Sequence, residues 1–298
     1  MNKHPEDFMQ HIPVLLNDVL KTIEANNDMP LQSLAGKTVA DCTFGAGGYS
    51  RAFLERGAKV IAFDRDPSVA SAAKELSREY GGKFTFINRP FSELKDYIAP
   101  DTADAVVFDL GISSMQIDQA ERGFSFRADA ALDMRMESSG KTAAELIEQL
   151  KVDEIAKILR DYGDVKKAVP IARAIKERLP QTTFELRDLI FNPKDTAPVF
   201  QALRIAVNDE LGEIKRALSV VPDLLKPGGI CAVVTFHSLE DRLVKSIFRE
   251  WTTVMGDPRM PSAATAPFKL LKAFVPNDAE LAANPRARSA HLRAVAKI

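Results

Sequence analysis

The sequence predicts an α/β fold in which a mostly parallel sheet is interrupted by an all-helical insertion. Three observations carry that prediction. Short apolar runs rich in β-branched residues alternate with helical patterns in the first third of the chain. From about 113 to 210 apolar residues recur at helical spacing with no strand-like run. Strand-like runs then return after 224.

In chain order, residues 39–43 read as a first strand and 59–64 as a second, with a helix from about 50 to 56 between them. Residues 84–87 and 105–109 read as the third and fourth strands, the last running into a turn at Gly111. Within the helical stretch, 143–150 and 171–179 are the clearest amphipathic segments, and Pro180 closes the second. Pro227-Gly228 predicts a tight turn ahead of a fifth strand at 230–235. Ser238 and Asp241 have capping-box spacing, with Asp in place of Glu, before a helix reaching about Trp251. Residues 268–275 and 290–295 read as two further strands. The expected domains are therefore 1–112 with 211–298, and an inserted 113–210.

Composition excludes several classes. A formal net charge of −1 means that a nucleic-acid partner must be held by a local basic face and not by a global field. Only two cysteines occur, Cys42 and Cys231, each in an apolar run that reads as a buried strand, so no disulfide scaffold is expected. Residues 1–10 are polar, and no apolar run is long enough to cross a bilayer. A cytoplasmic protein without membrane attachment is the expectation.

The chemistry-bearing pattern begins at Asp41, where the first strand meets a loop reading Gly45-Ala46-Gly47-Gly48-Tyr49-Ser50. Glycines there let a ligand approach the backbone. Asp64 ends the next strand, placed to accept both hydroxyls of a ribose, and the pair implies an adenosine-containing ligand. A dinucleotide fingerprint would carry Gly or Ala where Ser50 stands. The phosphate-free, cationic S-adenosylmethionine suits this loop and the negative Asp41 better. Asp109 ends the fourth strand at the edge where ligands of open α/β sheets bind, and Phe91, after the third, is placed to lie against adenine.

For methyl transfer to an exocyclic amine, an acceptor such as Asp109 would hold the N–H and stabilise the cationic nitrogen as it forms. Carbon-5 methylation of a pyrimidine needs a thiolate at a loop edge, and strand-buried cysteines leave nitrogen or oxygen as the acceptor. His237, with Phe236, follows the fifth strand and could face a flipped base. His237, Glu240 and Asp241 resemble a metal cluster, but a helix begun at Ser238 turns them apart, so no metal is expected. Candidate phosphate contacts are Lys166, Lys167, Arg173, Lys176 and Arg178, and, in an acid-free stretch from Pro285, Arg286, Arg288, Arg293 and Lys297. A nicotinamide-dependent oxidoreductase, a small-molecule methyltransferase and a non-catalytic RNA-binding assembly factor share enough of these features to stay open.

The ordered motifs resemble those of the bacterial 16S ribosomal RNA cytosine-N4 methyltransferases. The matching segments are 13–16, 41–50, 64–67, 109–114, 121–126, 132–136, 236–242 and 284–289, spread over nearly the whole chain. The resemblance implies a Rossmann-like class I methyltransferase sheet with a helical, substrate-recognising insertion. It implies S-adenosylmethionine held by Gly47, Gly48, Tyr49, Asp64, Phe91, Asp109 and Gln116, the last of which the spacing alone did not indicate. It also implies a decoding-region cytidine of 16S rRNA as substrate, presented by the assembled 30S subunit, and leaves a homodimer open. Two positions depart from the family pattern: Tyr49 stands where many relatives carry His, and Cys42 where many carry Gly.

Overall fold

A computed structural model describes residues 13–25, 33–113, 116, 119–254 and 266–298. The polar segment 1–10, and Ser114 of the 109–114 motif, lie outside the described residues. The chain divides into two compact units, Met1–Gly111 with Glu213–Ile298, and Ile112–Gly212.

The first unit holds β1 Thr38–Asp41, β2 Lys59–Phe63, β3 Phe84–Ile87, β4 Ala103–Asp109, β5 Leu225–Thr235, β6 Phe268–Leu270 and β7 His291–Lys297. They form one sheet in the order β3-β2-β1-β4-β5-β7-β6. The first five strands pair in parallel, and β7 is antiparallel to both neighbours. This is a Rossmann-like order: the chain builds outward on one side of β1, then crosses to β4 on the other.

Alternate residues Val39, Val60, Ala62, Ala105, Val107, Ile230, Ala232 and Val234 share a core with Val19, Leu20 and Ile23 of α1 (Leu16–Ala25) and with Ala52 and Phe53 of α2 (Gly48–Glu55). Their neighbours Val106, Phe108, Cys231 and Val233 are also buried, so both faces of these strands are covered. That double burial is why β4 reads as a continuous apolar run and not as an alternation. Helix α3 (Ala70–Tyr80) contributes Ala73 and Leu76 to the same core.

The expected Pro-Gly turn is set inside β5. Ala103 pairs with Leu225 and Ala105 with Ile230, so residues 226–229 are taken up within β5 as a register shift, with Gly228 at φ 78. Asp104 pins this irregularity by accepting from Lys226 Nζ at 2.7 Å and from the Thr38 N–H at 2.8 Å. Gly228 takes the left-handed position of a Pro-Gly turn, and a Cβ on Gly229 would lie 2.8 Å from the Lys226 carbonyl oxygen, so the strand bulges around the turn.

The second unit packs α4 (Ala143–Gln149), α5 (Val152–Gly163), α6 (Ala168–Arg178), α7 (Thr183–Asp188) and α8 (Thr196–Asn208) around Ile147, Ile155, Leu159, Ile171, Ile175, Leu186, Val199 and Leu203. Helix α4 starts at a reciprocal cap: the Thr142 hydroxyl accepts from the Glu145 N–H, and the Glu145 carboxylate accepts from the Thr142 N–H. Helix α6 ends where Leu179 turns left-handed at φ 48, because a residue before Pro180 is disfavoured in a helix. Helix α9 (Glu210–Leu224) leads back to β5, which α10 (Ser238–Trp251) follows, and α11 (Asp278–Ala283) precedes β7. Among the described residues no helix is long and apolar enough to cross a membrane.

The 132–136 motif owes its shape to Asn208, the last residue of α8. Its buried amide donates to the carbonyls of Met134 (2.7 Å) and Arg204 (2.9 Å) and accepts from the Met136 N–H (2.8 Å). Met134 is itself held left-handed at φ 63. Asn208→Ala orphans these groups inside the core, and should lower unfolding stability by about 3 kcal/mol in urea denaturation. A loss under about 1 kcal/mol would show that the clamp is not needed.

Candidate functional site

Parallel pairing brings the carboxyl ends of β2, β1 and β4 to one edge, and each end carries a carboxylate. Asp64 follows β2 directly, Asp41 closes β1, and Asp109 closes β4. The direction of sheet building reverses between β1 and β4, the position where open α/β sheets bind ligands.

The Asp41 carboxylate accepts from the Ser50 hydroxyl at 2.6 Å and from the Thr43 N–H at 3.2 Å. Burial pushes its pKa up to about 6 against those hydrogen bonds. Ser50, which breaks the dinucleotide pattern, is thus spent on Asp41. The Asp64 carboxylate accepts from the Gly45 N–H (2.8 Å) and the Asp66 N–H (2.9 Å), which folds the glycine loop back onto the end of β2. Burial raises it to about 6 as well, with the charges of Asp66 and Asp41 adding to the shift. Each of its oxygens keeps a second lone pair, so ribose hydroxyls can still be accepted.

Asp109 differs. Its backbone N–H donates to Thr43 Oγ1 at 2.7 Å, but its buried Oδ1 has no partner. Burial first, then the charges of Asp41 and Glu240, hold its carboxyl well above the usual range. An orphaned carboxylate oxygen at a switch point is what a cationic or N–H-bearing ligand would satisfy.

Among the other expected contacts, Gly47 adopts φ 82, and a Cβ there would lie 2.9 Å from the Phe44 ring, so backbone and packing both demand glycine. Gly48 opens α2. Tyr49 is buried, and its hydroxyl donates to the Val14 carbonyl, tying the 13–16 motif to the loop. Its side chain is therefore an anchor, and only its backbone remains for a ligand. Phe91 begins the turn after β3 and stands edge-on to Phe108, with ring centroids 5.5 Å apart. Gln116, in the second unit, accepts from the Ser113 N–H at 3.0 Å and returns its own N–H to Ser113 Oγ at 3.2 Å. No periodicity or charge pattern marks such a residue, which is why only the family resemblance indicated it.

His237 comes two residues after β5, beside Phe236, whose ring would lie 3.3 Å from a Cβ at Gly111. It is the N-cap of α10. Glu240 reaches back to the N–H groups of Phe236 (2.8 Å) and His237 (3.3 Å), while the Glu240 N–H donates to His237 Nδ1 at 3.4 Å. The expected Ser238–Asp241 cap is thus displaced by one residue. Glu has the extra methylene needed to reach back, whereas Asp241 forms a two-bond pair with Arg293, at 2.6 and 2.9 Å. With Nδ1 accepting, the ring proton belongs on Nε2. Nε2 sits 3.2 Å from Glu240 Oε1, too poorly aligned for a hydrogen bond.

Several basic candidates are structural. Arg293 is committed to Asp241. Lys297 Nζ donates to the carbonyls of Pro222 and Leu225 and pairs with Asp101. Lys176 Nζ donates to the carbonyls of Ile147 and Glu148. Arg288, Lys166, Lys167, Arg173 and Arg178 are exposed. Cys42 proves to be the first residue after β1 and not part of it. Both thiols are free and buried, and burial pushes each far above its ordinary value, so neither is poised as a nucleophile.

A sheet of this order with acidic strand ends at the switch point defines a Rossmann-like protein that holds a small ligand above β1 and β4. The chain belongs to the MraW methylase family, whose profile matches residues 8–298. The Ribosomal RNA small subunit methyltransferase H of Chelativorans sp. is 46% identical, over 95% of this chain and 86% of that one. The protein of the same name from Caulobacter vibrioides is 44% identical, over 96% and 95%. An rRNA methylase crystal structure from Streptococcus thermophilus aligns over 100% of this chain and 99% of that one, at a TM-score of 0.45 and 12% identity. Membership of a methylase family removes the oxidoreductase alternative.

The raised carboxyls make a pH prediction. Asp41 and Asp64 bind protons more tightly folded than unfolded, so ionising them weakens the fold by up to ~3 kcal/mol each. That cost builds as pH rises from the ordinary carboxyl range through 6. The ligand-free protein should therefore unfold at higher denaturant concentration at pH 5 than at pH 7, and a lower midpoint at pH 5 would contradict the buried-acid description.

Proposed function

We propose that this chain transfers a methyl group from S-adenosylmethionine to the exocyclic N4 of a decoding-region cytidine in 16S rRNA, within the assembled 30S subunit. The observation that carries the reading is the buried, unpartnered Oδ1 of Asp109 at the switch point. Family membership, and relatives named as small-subunit rRNA methyltransferases, support methyl transfer and the substrate class.

When bound, S-adenosylmethionine supplies an electrophilic methyl carbon on a sulfonium centre. Asp64 would accept the ribose hydroxyls, Phe91 would lie against the adenine, and the backbone of Gly47, Gly48 and Tyr49 would border the ligand, with Gln116 a further contact that the family resemblance implies. Asp41 and Asp109 would face the positive end of the ligand, and a cation held there would favour the ionised form of Asp109. Asp109 then accepts an N–H of the cytosine amine, which turns the nitrogen lone pair toward the methyl carbon. As the nitrogen becomes cationic, the carboxylate stabilises it electrostatically. Holding the amine in line with the methyl donor would supply up to about 7–11 kcal/mol by positioning. His237 and Phe236 face the everted base from the end of β5. The inert thiols of Cys42 and Cys231 support attack at nitrogen over carbon 5.

Three expected outcomes test this. Incubation with labelled cofactor and unmethylated small subunits should yield N4-methylcytidine by mass spectrometry, and label in any other nucleoside refutes the assignment. Asp109→Asn should lower turnover by about 10²–10³-fold, roughly the loss of one transition-state charge contact, while leaving the ligand-free protein no less stable, because the burial that raises the Asp109 carboxyl opposes folding. Asp64→Ala should weaken cofactor binding in calorimetry by roughly tenfold or more, and unchanged affinity removes the ribose contact.

A further inference from the structure

The helical unit carries a groove that methyl transfer does not use. It has a volume of about 370 Å³ and is lined by Phe126, Arg187, Asp188, Ile190, Pro193 and Thr196. Ile190 and Thr196 are buried and form its floor. Phe126 is braced from behind by Phe200, edge to face at 5.3 Å.

Two features distinguish this groove from an ordinary surface dent. The first is the state of Arg187, on the last turn of α7. Its guanidinium carbon lies 3.8 Å from the centroid of the Phe184 ring, one helical turn back, and its Nε donates to Asp188 Oδ1 at 2.8 Å. A side chain that is usually flexible is thus held flat, with one face on a ring and its plane set by a carboxylate. The second is Phe191, between the lining residues Ile190 and Pro193 in the chain. At 79% exposure it is the most exposed large apolar side chain among the described residues. Lys194 follows it, also exposed.

We infer that this groove is a second base-binding site, which stacks an unpaired nucleotide of the RNA substrate on the guanidinium plane of Arg187, with the exposed ring of Phe191, next in the chain to the lining residue Ile190, as a further stacking surface. The inference rests on the reading that RNA is the substrate. Unpaired bases are recognised by stacking on aromatic rings and guanidinium planes, with hydrogen bonds to their edges. Arg187 and Phe191 supply the planes, Asp188 an acceptor for a base amino or imino group, and Lys194 a cation for the adjoining phosphate. The volume is at the small end of ligand clefts, the scale of one base and not of a whole cofactor. The pre-set guanidinium means that little further ordering is needed on binding.

The test uses the full-length protein and a fluorophore-labelled single-stranded oligoribonucleotide carrying the decoding-region sequence, read by anisotropy. Arg187→Ala and Phe191→Ala, both checked for an unchanged melting temperature, should each weaken binding at least fivefold. They should raise the KM for small subunits by a similar factor, with kcat and cofactor affinity within twofold. Arg187→Lys keeps the charge but loses the plane, so it should behave like Arg187→Ala. Full rescue by lysine would reduce the site to a phosphate contact and overturn the inference. So would unchanged oligonucleotide affinity in both alanine variants. If those variants bind the oligonucleotide normally but bind intact subunits poorly, the groove docks a ribosomal protein instead. Wild-type protein that binds the oligonucleotide through Arg187 and Phe191 but methylates no RNA would sink the proposed function while leaving the groove assignment intact.

Discussion

Three carboxylates drawn out of water onto one edge of a parallel sheet set the conditions for everything else in the first unit. Asp41, Asp64 and Asp109 are desolvated like charges, and Asp41 raises the pKa of both others. Such a cluster persists only if surrounding groups compensate it. Ser50 and Thr43 do so for Asp41, and the backbone of Gly45 and Asp66 does so for Asp64. For Asp109 the chain provides Thr43 at the backbone but nothing at Oδ1. The imbalance leaves a buried, unsatisfied acceptor that a cation would ionise, and there a cation or an amine is worth more than it would be in water.

The same constraint explains the conformation of the loop. Gly45 and Gly47 are left-handed, and Tyr49 is locked to Val14, so the loop is rigid before any ligand arrives. A rigid loop places backbone and carboxylates together at no further entropic cost, which favours orientation over mere affinity. Around it, charge is used sparingly. Arg293 and Lys297, basic residues on β7, are bound to Asp241 and to strand and helix carbonyls, so they brace the sheet and do not reach outward.

The helical unit follows different physics. Its order comes from an aliphatic core and from polar clamps such as Asn208, which satisfies two backbone groups of the 132–136 segment and the Arg204 carbonyl at once. Its surface keeps an arginine stacked on the Phe184 ring and an exposed phenylalanine, Phe191.

The amino-acid sequence alone determined the strands that both faces bury, the helical character of the insertion and the acidic strand ends, because each is written in local periodicity or in a single residue at a strand terminus. Phe84–Ile87 is reproduced residue for residue. Tertiary structure alone decided matters that depend on partners far along the chain. Glu240 and Arg293 between them moved the α10 cap from Ser238 to His237. Tyr49 became an anchor through a carbonyl 35 residues away. Lys176, Arg293 and Lys297 lost their availability to phosphate in the same way. A charge or hydroxyl has no role until the fold supplies its partner, and pairing at that range leaves no trace in spacing or composition.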